Sequence, residues 1–299
     1  MIFLMVISLG LLIVLPAGLL FVIWRAAFKS KLEWMLDVLA STALIAYIFQ
    51  SANWSWIGSY WRYLWIVLLV IVIATSWKKV RDLPWRINYK GSQKVSIAIN
   101  TLLIIVFGAY NGLIFTSYSV KEQAIDLALP LKDGTYYVAH GGNHVQMNYH
   151  QAHPPQKYAL DILGLNKLGT RATGLYPKDL EKYEIYEQKL YSPCDGIVLE
   201  TRNDLPDMTP PEMDSENTLG NFVALSCIGH DAIIYLSHMQ NDTVSVTDGE
   251  EVTTGQLLGK VGNSGNTLEP HLHIHAELDG VGVPITFDGK FLVRNSIVR

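Results

Sequence analysis

The residues best able to do chemistry are concentrated in Glu269-Pro270-His271-Leu272-His273-Ile274-His275. The chain has nine histidines, and three of them alternate with apolar residues here. In a β-strand, alternate side chains share a face. The spacing therefore predicts His271 and His273 side by side on one face, with Leu272 and Ile274 packed on the other. Two adjacent imidazoles suit a metal site. One nitrogen holds Zn2+, and the neighbouring ring handles the protons of an attacking water. The competing reading is a strand whose polar face happens to be histidine. The rest of the chain has to decide between them.

Charge divides the 299 residues in two. The first 119 carry ten Lys and Arg against three Asp and Glu, a balance of +7. The remaining 180 carry 13 against 24, a balance of −11, and together these give the overall −4. A basic, apolar front joined to an acidic, polar back predicts a membrane module followed by a soluble one. The basic residues sit in short loops between apolar runs, which argues against nucleic-acid binding. Cys194 and Cys227 are too few for a disulfide scaffold and form no CxxC pair. A single bridge, if the back half lies outside the cell, and a pair of buried thiols both remain open.

Four apolar runs predict an all-α bundle of four transmembrane helices: Ile2 to Trp24, Leu32 to Phe49, Tyr60 to Trp77 and Val95 to Thr116. About 20 apolar residues cross a bilayer as a helix. The first run has neither the charged start nor the small-residue cleavage site of a secretory signal, so it reads as an uncleaved span. Trp54, Trp56, Trp61, Trp77 and Trp85 cluster at the ends of the runs, as interfacial aromatics do. The loop from Lys78 to Lys94 and the turn holding Arg25, Lys29 and Lys31 are basic, and such loops stay in the cytoplasm. Both can be inside only if the N-terminus is outside, and an even number of spans then leaves the C-terminal half outside too. The spans show no chain of charge suggesting a transport path and read as an anchor in the lipid bilayer.

Residues 120–130 read as a juxtamembrane linker or short helix between the span domain, 1–119, and the soluble domain, 131–299. In the soluble domain, Gly134 to Ala139, Gly196 to Glu200, Phe222 to Leu225 and Ala232 to Leu236 carry strand signals between Gly turns. Pro177 to Leu190 reads as a helix, and Asn203 to Gly220 as a surface loop. The run Val246 to Gly265 reads as short strands broken by turn glycines. A mainly antiparallel β domain is expected.

Four segments, taken together, resemble the lysostaphin-like zinc metallopeptidases (peptidase family M23), which cut peptide bonds in bacterial peptidoglycan. They are Gln156-Lys157-Tyr158-Ala159-Leu160-Asp161-Ile162, Tyr191-Ser192-Pro193-Cys194-Asp195-Gly196-Ile197-Val198, Tyr235-Leu236-Ser237-His238-Met239 and Pro270-His271-Leu272-His273. They keep the family's order and cover roughly residues 131 to 285. The last segment is the most specific. The resemblance implies the family's β-sandwich, a duplicated hybrid motif. It implies zinc held by a histidine, Asp161 and His273. His271 and His238 would flank the metal, acting on the attacking water and stabilising the tetrahedral intermediate. Two histidines and a carboxylate leave zinc's fourth position open, as hydrolysis requires.

The chain departs from the family at the first histidine. The common His-x-x-x-Asp pattern would place it at Lys157, and a charged lysine is a poor ligand. The resemblance is closest to a branch with an Asn-x-His segment upstream, here Asn148-Tyr149-His150. That implies His150 as the ligand, with His153 second, and an inactive site if neither reaches the metal. His275 lies beyond the pair the family uses and is given an orienting or wall role. His140, His144 and His230 lie near Gly turns and read as surface residues. Asp204, Asp207, Glu212, Asp214 and Glu216 read as a solvated loop.

The function expected is a zinc-dependent endopeptidase anchored in a bacterial cell membrane and facing the wall, with peptidoglycan peptides as substrate. The first alternative is a degenerate domain that binds wall peptides or regulates another hydrolase; the presence of Asp161, His238, His271 and His273 argues against it. The second is a sensor, and the absence of any sizeable cytoplasmic segment argues against that.

Overall fold

The computed structural model describes residues 2–299 and divides into two units, Met1–Phe115 and Thr116–Arg299. In the first unit the apolar runs form four helices: α1 (Ile2–Arg25), α2 (Lys31–Ser51), α3 (Trp61–Val80) and α4 (Gly91–Thr116). By length and composition α2, α3 and α4 are able to cross a membrane. The start of α2 is set by a capping box, in which Ser30 accepts from the Glu33 amide and Glu33 reaches back to the Ser30 amide. Polar side chains then tie α2 to its neighbours. Glu33 accepts from Gln93, Asp37 from Asn100, and Gln50 donates to Asn111 at 2.8 Å, all on α4. Trp34 donates to Ser76 of α3 at 2.9 Å. Hydrogen bonds of this kind hold helices together where lipid removes the hydrophobic drive between them.

The second unit is built from thirteen strands among its described residues. β1 (Ile125–Leu127), β2 (Tyr136–His140), β3 (Leu160–Gly164), β4 (Lys189–Tyr191), β5 (Gly196–Arg202), β6 (Asn221–Cys227) and β7 (Ile233–Met239) come first. β8 (Glu251–Val252), β9 (Leu257–Lys260), β10 (Leu272–Leu278), β11 (Val281–Val283), β12 (Ile285–Phe287) and β13 (Ile297–Val298) follow. Nine of them make one antiparallel sheet in the order β13-β2-β3-β10-β7-β6-β5-β8, with β11 also paired to β10. Two ribbons, parallel β1-β12 and antiparallel β4-β9, pack on it and share its core through Ile125, Ile285, Phe287, Leu190 and Leu258.

The centre of the sheet explains where the site falls. Along β10, Leu272, Ile274 and Ala276 point into that core, each at most 1% exposed. Full burial of a side chain such as Leu or Ile is worth about 1.5–3 kcal/mol. The pleat then commits His273 and His275 to the opposite face. Register places Asp161 of β3 directly across from His273, Ser237 of β7 on its other side, and His140 of β2 across from Asp161 at a bulge. Cys194 and Cys227 form a disulfide, with Cα atoms 5.7 Å apart.

Two expected elements differ. Pro177 to Leu190 holds only a 3-10 turn, Leu180–Lys182, before β4. Tyr183 and Ile185 are both buried, and their spacing of two is that of an extended chain, not a helix. In residues 120–130 the chain forms β1, where Ile125 and Leu127 turn inward and Asp126 outward.

Candidate metal centre

Six of the nine histidines gather around Asp161: His140, His150, His238, His271, His273 and His275. The Asp161 carboxylate is buried. Nδ1 of His273 is 2.9 Å from its Oδ1. Nε2 of His150 is 3.1 Å from both its oxygens, and Nε2 of His271 is 3.5 Å from Oδ1.

Each side chain is delivered differently. Asp161 and His273 face each other from neighbouring strands. His150 arrives on a 3-10 turn, Tyr149–Ala152, after the β2–β3 connection folds back. Asn148 caps that turn by accepting from the His150 amide, and donates to the carbonyls of Gly142 and Ala159. His238, next to last in β7, has φ +60°. A non-glycine residue seldom adopts this left-handed backbone, and here it re-aims the imidazole. Its Nδ1 donates to the Ser264 carbonyl at 2.9 Å. His271 does not lie within the strand as expected, because β10 begins at Leu272. Its Nδ1 faces the Glu269 carbonyl at 2.9 Å. Both flanking imidazoles thus have Nδ1 anchored to backbone and Nε2 directed inward, with ring centroids 4.8 Å apart.

Electrostatics separates these groups. For Asp161, burial pushes the carboxyl up, but His150 and His271 outweigh it and hold it well below the usual carboxylate range. Burial lowers His271 too, yet the Asp161 carboxylate reverses this and raises it. Burial lowers His238 well below the usual imidazole value, and His271 and His273 add to the effect. His273 and His275 are both lowered to about 3, burial being the main cause.

Among the described residues, two groups of three have ligand atoms within 4.8 Å of one another: His150, Asp161 and His273, and His238, His271 and His273. The chemistry of the first set fits zinc, since a carboxylate and two imidazoles can all present lone pairs. Nδ1 of His150 is buried without a hydrogen-bond partner among the described residues, so every polar contact of that ring is on the Nε2 side. His153 lies in neither group but lines the adjoining cleft. That cleft, about 270 Å3, runs between Tyr149 to Gln156 on one side and Thr218, Leu219 and Asn266 on the other, with His238 and His273 beneath. Lys157, where the common pattern would put a histidine, pairs with Glu122 at 3.4 Å instead.

Several residues escaped sequence reasoning. His140 is not a surface residue: its Nδ1 accepts from Arg294 at 2.8 Å, and its ring meets Tyr149 edge-on. Arg171, almost fully buried, pairs with Glu269 beside His271. Both gain their neighbours through distant loops, and no local spacing signals that. Asp207 is no solvated loop carboxylate either; it accepts from the Asn263 amide at 2.6 Å and the Tyr186 hydroxyl at 3.1 Å.

Fold and cluster together define a β domain with a buried histidine–carboxylate centre able to hold a metal ion. Residues 183–284, about a third of the chain, match the model of peptidase family M23. No curated protein matches the chain. Among solved structures it is similar to a zinc-containing peptidase from Vibrio cholerae, with 18% identity over 54% of this chain and 39% of that one, TM-score 0.33. It is similar to a putative peptidase M23 from Pseudomonas aeruginosa, with 18% identity over 60% of this chain and 56% of that one, TM-score 0.32. The catalytic domain of the antimicrobial peptidase lysostaphin from Staphylococcus simulans shares 19% identity over 37% of this chain and 83% of that one, TM-score 0.24. The chain thus spans 39% and 56% of the first two of these proteins.

Proposed function

We propose that the protein is a membrane-anchored zinc endopeptidase that hydrolyses peptide bonds in peptidoglycan. The observation that carries this reading is the convergence of His150, Asp161 and His273, with the Nε2 atoms of His238 and His271 turned toward the same space. His150, Asp161 and His273 are the proposed ligands, and His153 is not. Bound there, zinc supplies a Lewis acid for the scissile carbonyl and lowers the pKa of the attacking water.

The remaining steps belong to the chain's own side chains. His271 takes the proton from the water at Nε2. The positive charge this creates is supported by Asp161 at 3.5 Å and by the Glu269 carbonyl at Nδ1. His238 stabilises the tetrahedral intermediate from Nε2; because its Nδ1 proton is already given to the Ser264 carbonyl, this takes the imidazolium, which burial disfavours in the free site and the developing oxyanion favours. The Ser264 carbonyl holds its ring in place meanwhile. The cleft between Tyr149–Gln156 and Thr218–Asn266 receives the peptide and limits water around it.

The anchor is the first unit, with α1 joining α2, α3 and α4 as a fourth span and both the N-terminus and the catalytic unit outside the cytoplasm. Basic loops support this orientation. The Cys194–Cys227 disulfide supports it independently, because such bridges persist in oxidising compartments.

The test uses the full chain in detergent, wild type beside His273→Ala. Bound zinc and the release of new amino groups from purified peptidoglycan are measured. Stoichiometric zinc with release, both lost in the variant, is expected. Zinc without release would favour a domain that binds wall peptides, and absence of zinc in the wild type would sink the metallopeptidase reading.

A further inference from the structure

His275 belongs to neither candidate donor group, yet it is 3% exposed and wedged beside His273. Its Nδ1 lies 3.0 Å from Nε2 of His273. Its ring stacks on Tyr235, its cross-strand neighbour, with centroids 4.8 Å apart and planes 11° apart. The stack fixes the plane of the ring, and the contact with His273 fixes which nitrogen faces it. A wall residue would account for the burial and the stacking. It would not account for two ring nitrogens at hydrogen-bond distance.

Two imidazole nitrogens at that distance share one proton, so the contact has a polarity. The other nitrogen of His273 decides which. That Nδ1 is the atom facing Asp161 at 2.9 Å. If Nδ1 gives its lone pair to a metal, the ring's proton must be on Nε2, and His275 must accept it.

We propose that His275 is the positioning residue for His273, an acceptor that holds it in the tautomer whose Nδ1 can bind metal. This rests on the zinc reading of the site. It adds that the histidine pair switches polarity when zinc binds. Without metal, His273 donates from Nδ1 to the Asp161 carboxylate and accepts at Nε2 from Nδ1 of His275. With metal, the proton on Nδ1 of His275 passes across the contact to Nε2 of His273. The former Nδ1 proton of His273 leaves to solvent, and Nε2 of His275 takes one up. Each ring carries one proton before and after, so neither changes charge. A second residue that orients a metal-binding histidine through its other nitrogen is a general feature of metal sites.

The test measures zinc affinity of the full chain in detergent, by competition with a chromophoric chelator. His275→Phe keeps an aromatic ring against Tyr235 and removes the acceptor. It should bind zinc about 10–100-fold more weakly. His275→Gln and His275→Glu return an acceptor and should recover most of that loss, and thermal melts of the zinc-free forms check folding. A folded His275→Phe with wild-type affinity would overturn the inference. So would an equal loss in all three variants, which would mean that the ring's bulk matters and its acceptor does not. Nitrogen-15 spectra of the histidine-labelled wild type give a variant-free check. Zinc should move the His275 proton from Nδ1 to Nε2, and an unchanged tautomer would refute the switch. A wild type that takes no zinc fails the zinc reading and this inference together. Zinc lost in His273→Ala but unaffected in His275→Phe fails this inference alone.

Discussion

Replacing both cysteines by alanine isolates what the disulfide contributes. The bridge closes a loop of 33 residues, joining the turn before β5 to the end of β6. In the chain-entropy model a loop of that length is worth about 3.7 kcal/mol. For a domain of this size each kcal/mol moves Tm by about 2–4 °C, so the expected fall is about 7–15 °C. Cys227 is also part of the core, so truncating it adds to the loss and does not mask it. Alanine avoids burying a hydroxyl, as serine would. The assay is thermal unfolding of the full chain in detergent, with and without reductant. Reductant should bring the wild type most of the way down to the double variant, stopping short by what the Cys227 side chain adds to the core, and leave the variant unmoved. Equal melting of oxidised wild type and variant would refute the reasoning. Free thiols labelled by maleimide in the unfolded, unreduced protein would refute the bridge itself.

Two further outcomes follow from the site and the loop beside it. His271→Ala should keep zinc and lose about 10²–10⁴-fold in the rate of amino-group release, which separates a proton acceptor from a ligand; zinc lost in that variant would contradict the assignment. Asp207 is raised above its ordinary value of 3.8, burial outweighing the Asn263 amide and the Tyr186 hydroxyl. Its contribution to stability is therefore present below that value and lost as pH rises through the folded pKa. Asp207→Asn lacks the loss, so its Tm advantage over wild type should grow from acid toward neutral pH, and a difference that stays flat would disprove it.

How much could be read from residue order depended on how local the cause was. The alternation of β10 is visible because the core face and the histidine face obey one period of two. The four apolar helices are visible because their composition extends over a full bilayer length. β1 was hidden because a three-residue strand between polar neighbours has too little pattern. The stretch from Pro177 to Leu190 misled because Pro and alternating Glu and Lys mark helix starts, while Tyr183 and Ile185 answer to a distant core. The same limit applies at the candidate metal centre. His273 and Asp161 meet through register alone. His150 reaches them by a fold-back that Asn148 clips shut, and its separation from Asp161 follows no repeat. The ring of His140 and the Arg171–Glu269 pair lie at the ends of similarly long excursions.

The mixed origin of the centre has a consequence for how it is filled. Asp161 and His273 sit on paired strands at the middle of the sheet, whereas His150 stands on a turn inside a connection. An ion arriving there would meet two donors on the sheet and one on a turn. Zinc occupancy would be written into the amides of residues 141–159, whose exchange with solvent should slow as the ion settles, while the strands beneath keep the same pace.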